Sequence, residues 1–84
     1  MDAKTIKALV GAGAIKKVHI IARGATIHVE VLAGANKEPA HTGKGDLKTW
    51  RTLDAAAKWV RGLGVGAVQL DVSRWQPDQK GLNF

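Results

Sequence analysis

The sequence predicts an α+β fold: a single small domain with elements in the order α-β-β-β-α-β, its antiparallel sheet carrying both helices on one face. Three observations lead there. Leu53, Ala56, Ala57, Val60 and Leu63 recur at helical spacing, with Asp54, Lys58 and Arg61 on the opposite side. Val18 and Ile20, then Ile27 and Val29, alternate with polar residues at strand spacing. Gly62 and Gly64 then separate the helical pattern from a further alternating run at Val68, Leu70 and Val72. A chain of 84 residues has room for one domain. Residues 1–75 are expected to form it, and residues 76–84 a loosely ordered C-terminal tail.

The first element is a short helix over Ala3–Val10, with Ile6, Leu9 and Val10 on one side and Lys4 and Lys7 on the other, ended by Gly11 and Gly13. It is too short to stand alone and must dock. Residues 18–31 read as a hairpin turning at Arg23-Gly24, where glycine accepts the positive φ of a tight turn. A two-residue loop there sets Ile20 opposite Ile27, Val18 opposite Val29, His19 opposite His28 and Lys17 opposite Glu30. Residues 33–46 are polar and glycine-rich, a loop with a short edge strand near residues 40–42.

Leu47–Arg51 is the third strand. Thr52 then caps the second helix, Asp54 favours its first turn and Arg61 its last. The final strand follows at Val68–Val72, placing Leu70 in the core together with Leu53 and Val60. Beyond it, Trp75 and Phe84 are the large side chains of the tail, and Trp75 is expected to pack.

The net charge of +6 makes polyanions the natural partners, although the cations are spread along the chain and also serve solubility. No cysteine is present, so neither a disulfide framework nor a thiolate metal site is expected, in keeping with a reducing cytoplasm. The opening residues lack signal-peptide character and no apolar run approaches the ~20 residues of a membrane span. A soluble, cytoplasmic protein without membrane association is expected, and so small a domain is a natural candidate for homodimerisation.

Motifs that suggest cofactor chemistry fail on context. Gly11-Ala-Gly13-Ala-Ile follows a helix, whereas a dinucleotide fingerprint follows a strand. Gly62-Leu-Gly64-Val-Gly66 is helix-stop chemistry. Thr42-Gly-Lys-Gly lacks the Ser or Thr and the helix of a phosphate loop. His19 and His28 across a hairpin supply two metal ligands at most, with Glu30 and His41 as remote additions, so no metal and no cofactor are expected. The single serine, Ser73, has no base placed beside it and the seven carboxylates are scattered, so no catalytic residue is assigned and the chain reads as non-enzymatic.

What remains is a nucleic-acid surface. Lys44, Lys48, Trp50 and Arg51 combine cations with a flat stacking side chain around the third strand, provided Trp50 is not buried. Lys16, Lys17 and Arg23 on the hairpin are the second group of candidates. Trp59, at the border of the apolar helix face, is assigned to core packing.

Residues Ile6-Lys-Ala-Leu-Val-Gly-Ala-Gly-Ala-Ile, Trp50-Arg-Thr-Leu-Asp-Ala-Ala-Ala-Lys-Trp-Val-Arg-Gly-Leu-Gly-Val and Leu70-Asp-Val together resemble the small partition-associated proteins of the ParC type carried by bacterial plasmids and integrative elements. The resemblance covers about three quarters of the chain and rests mainly on apolar helix positions and glycines. It implies an accessory factor in the inheritance or maintenance of mobile DNA, with DNA or other partition proteins as partners. It carries no catalytic residue onto this chain.

Overall fold

The computed structural model describes residues 1–76 as α1 (Ala3–Gly11), β1 (Ile15–Gly24), β2 (Thr26–Ala33), β3 (Asn36–Pro39), β4 (Thr49–Trp50), α2 (Leu53–Gly62) and β5 (Gln69–Trp75). The order is the expected one with β3 as an additional short strand. The predicted edge strand near residues 40–42 forms instead at residues 36–39, and the third strand contracts from Leu47–Arg51 to Thr49–Trp50. Of the predicted tail, residues 77–84 with Phe84 lie outside the described residues, whereas Trp75 ends β5 half-buried against the core.

The strands form one sheet in the order β3-β2-β1-β5, with β4 also pairing β2. It is mixed, not wholly antiparallel: β1 pairs antiparallel to β2, and β5 runs parallel to β1. The cause is the strand-helix-strand unit of β4, α2 and β5. A chain that leaves one strand through a helix returns in the same direction. Since β4 is antiparallel to β2, and β2 to β1, the returning strand runs parallel to β1.

The hairpin register also differs from expectation. Arg23 pairs with Thr26, Ile20 with Val29, Ile21 with His28 and His19 with Glu30, so the loop is Gly24-Ala25 and the pairing has slipped by two residues. The reason lies in the turn. A loop at Arg23-Gly24 would need positive φ at Arg23, whereas here Gly24 takes φ +60° and, among the described residues, no non-glycine residue has a positive φ. An even slip leaves every side chain on its expected face. It does, however, abolish the direct His19–His28 and Lys17–Glu30 pairs.

On one face of the sheet Val18, Ile20, Ala22, Ile27, Val29 and Val31 are buried with Ile6 from α1 and Ala56 and Val60 from α2. Both helices thus contribute to one core on one face. Asp2 caps α1 by accepting from the Thr5 amide at 2.8 Å, and Thr52 caps α2 by accepting from the Ala55 amide at 3.1 Å. Val60 is buried as expected and Leu53 is half-buried, but Leu70 is 51% exposed. It pairs with buried Ile20 and so lies on the helix side, yet β5 is the outermost strand, beyond the main cover of the two helices.

Candidate nucleic-acid interface

Residues 40–50 are shaped by a small hairpin. The Ala40 amide donates to the Val29 carbonyl, the Lys48 amide donates to the Ala40 carbonyl, and His41 bridges to Leu47. The tip is closed by Thr42. Its hydroxyl accepts from the amides of Lys44 and Asp46, each at 3.3 Å, while its carbonyl accepts from the Gly45 amide at 3.0 Å. These amides are spent inside the loop, so Thr42-Gly-Lys-Gly offers no cradle for phosphate. Lys44 is held exposed at its tip. The His41 amide donates to the Met1 carbonyl at 2.7 Å, joining this hairpin to the entry of α1.

β4 then places its aromatic residue. Trp50 pairs with Ile27 and therefore faces the helix side, where the Trp59 ring of α2 meets it at a centroid separation of 5.0 Å and an interplanar angle of 53°. Both tryptophans are half-buried. The Lys48 ammonium lies 5.3 Å from the Trp50 centroid and 5.7 Å from that of Trp59, a cation held by two aromatic rings. Trp59 and Lys48 also line an open cleft of about 310 Å³ together with Asp2, Lys4, His41, Thr42 and Gly43. Trp59 is the functional candidate that sequence reasoning placed in the core. It does pack against the core, but it also completes the Lys48–Trp50 cluster.

Arg51 follows Trp50 immediately and is exposed. Trp50 pairs with Ile27, so Arg51 comes next to Thr26; Thr26 pairs with Arg23, and Arg23 with Arg74. Three arginines are thereby distributed across one end of the sheet from β4 to β5, a span of roughly 14 Å at the usual strand spacing. Arg23 and Arg74 share a cavity of about 270 Å³ with Asp71 and Ser73. The Ser73 amide and hydroxyl donate to the Asp71 carboxylate at 2.9 and 2.7 Å and lower its pKa, with a smaller contribution from Arg74 and Arg23. Lys16 and Lys17 belong elsewhere. They sit at the opposite end of β1, beside Ala67 and Val68, roughly 20 Å along the strand from Arg23.

On the sheet face away from the helices, His19 and His28 both flank Glu30 and do not face each other. The His28 Nε2 lies 3.6 Å from one Glu30 oxygen, and the Lys37 ammonium 3.1 Å from the other, a close ion pair without hydrogen-bond alignment. His19 Nε2 is buried without a hydrogen-bond partner. Among the described residues no group of three or more His, Cys, Asp or Glu side chains is placed to hold a metal ion, and no helix is long and apolar enough to cross a membrane. No protein family, curated protein or solved structure matches the chain.

Proposed function

We propose that the chain is a non-enzymatic nucleic-acid-binding module, and that its DNA contacts run from the Lys48–Trp50–Trp59 cluster past Lys44 and Arg51 toward Arg23 and Arg74. The observation that carries this reading is the lysine ammonium seated over two adjacent tryptophans on the helix side, at the end of the sheet whose opposite face carries the row of arginines. A base stacking on an exposed tryptophan face would take the place of the Lys48 ammonium, which is then free to neutralise the neighbouring phosphate. The cost of breaking the cation-π contact is small, about 0.5–1 kcal/mol at such a site. With its resemblance to ParC-type proteins, the module would act as an accessory of plasmid or mobile-element partition in a bacterial cytoplasm.

The test is titration of the protein with duplex and single-stranded oligonucleotides while following tryptophan fluorescence. Binding at low salt with quenching, and an affinity that falls steeply as salt rises, is the expected outcome. Reversing the charge of Lys48 and Arg51 together should weaken binding for all sequences alike, because such contacts position the nucleic acid and do not read it. If neither form binds at about 50 mM salt, where phosphate contacts are strong, the reading fails. A protein adaptor contacting other partition components then takes its place.

A further inference from the structure

β5 is the outermost strand of the sheet, and among the described residues no strand pairs with its outer edge. Leu70 lies on the helix side with Ile20, and the alternating positions about it are also apolar and open: Val68, Leu70 and Val72 are 40%, 51% and 43% exposed, the pairing of β5 with β1 shifting register only beyond Asp71. An apolar edge strand is a template for another strand, and isolated domains normally blunt it with charge or proline. Here the stretch reads alike in both directions. Val68-Gln69-Leu70-Asp71-Val72 is apolar, polar, apolar, polar, apolar about a central leucine.

We propose that this edge pairs antiparallel with the same edge of a second copy, about a two-fold axis through Leu70. Leu70 then faces Leu70 of the second copy, each Val68 faces a Val72, and each Gln69 faces an Asp71. The apolar stripes merge on the helix side, and on the other side the Gln69 carboxamide donates to the Asp71 carboxylate. Asp71 is prepared for this. One oxygen, Oδ1, takes both Ser73 bonds, which leaves Oδ2 to accept across the interface. The bond from the Ser73 amide to Asp71 also limits the pairable edge to the symmetric segment. A residue-centred two-fold keeps both faces in register, and no like charges meet directly within residues 68–72. The inference stands independently of nucleic-acid binding. Lys16 and Lys17 flank Val68, so the two copies approach with like charge nearby and added salt should tighten the dimer, whereas it weakens nucleic-acid binding.

The experiment is sedimentation equilibrium of the full chain from micromolar to millimolar concentration, in low and in high salt. A monomer–dimer equilibrium strengthened by salt is expected. Leu70→Lys, at a position half-exposed in the monomer, should keep the native circular dichroism and weaken association by roughly 100-fold or more, because two unpaired ammonium groups meet on the axis. The register is tested by Gln69. Gln69→Glu sets two carboxylates against Asp71 and should weaken the dimer about tenfold, whereas Gln69→Lys should tighten it, since the axis repeats each pair twice. The chain has no cysteine, so Leu70→Cys reports directly: it should cross-link to itself on oxidation, and Leu47→Cys on the other side of the sheet should not. A monomer at every concentration overturns the proposal, even if a foreign protein binds this edge. So does a dimer indifferent to Leu70→Lys, equal effects of the two Gln69 variants, or cross-linking no better at position 70 than at 47.

Discussion

Ile27 and Leu70 are both aliphatic residues on the helix side of the sheet, but they carry different energies. Ile27 is fully buried between β1 and β4 beneath α2, whereas Leu70 keeps half its surface in water. Ile27→Ala should therefore cost about 3–4 kcal/mol in chemical denaturation. Leu70→Ala should stay within about 0.5 kcal/mol when measured on the monomer. Equal losses would mean that the outer strand is covered. Alternation in the sequence revealed which side Leu70 faces, but it cannot reveal whether a layer reaches that side. Titratable residues add a second test. The Thr5 amide bonded to Asp2 holds its carboxyl below the usual 3.8. A depressed carboxylate pKa stabilises the fold fully above its ordinary value, and that contribution disappears as pH falls through the lower folded value. Helix signal should therefore be lost earlier in an acid titration for the native chain than its Asp2→Asn variant predicts, because asparagine still caps without titrating.

At the level of elements, what was legible depended on whether the signal was local. The second helix follows from Thr52, Asp54 and the apolar face, all within one segment, and it forms where expected. Thr52→Ala should destabilise the protein by about 1 kcal/mol, seen as a lower denaturation midpoint with unchanged slope. The hairpin existed in the sequence pattern, but its register depended on which loop position the glycine takes. Gly24 occupies the first of the two loop positions at φ +60°. Gly24→Ala should cost about 1–2 kcal/mol, the price of a left-handed backbone with a side chain. NMR contacts should join Ile20 to Val29; contacts between Ile20 and Ile27 as direct cross-strand neighbours would restore the shorter register. The parallel return of β5 was implicit in the strand-helix-strand order. Only the pairing of β4 with β2 makes that consequence visible.

Over the whole molecule, 13 lysines and arginines face seven carboxylates, and their placement matters more than their number. Lys48 and Trp50 could be read as neighbours because they stand two positions apart in the strand predicted over Leu47–Arg51. Trp59 could not, because it joins them only when α2 folds back over β4, and Arg74 enters the arginine row only through the parallel pairing of β5. Lys16 and Lys17 carry equal formal charge but lie at the far end of β1, away from Arg23 and the row it belongs to. Beyond about 10 Å at 0.1 M salt, charges on the surface are largely screened from one another. A localised interface therefore predicts a position effect for one and the same change in net charge. Lys48→Glu removes the cation from the tryptophan pair and should lower nucleic-acid affinity by at least about tenfold near 0.1 M salt. Lys16→Glu should lower it by less than about threefold under the same conditions. Fluorescence titrations of the two variants beside the native chain decide the matter: equal losses would mean that binding follows net charge, with no site at the tryptophans.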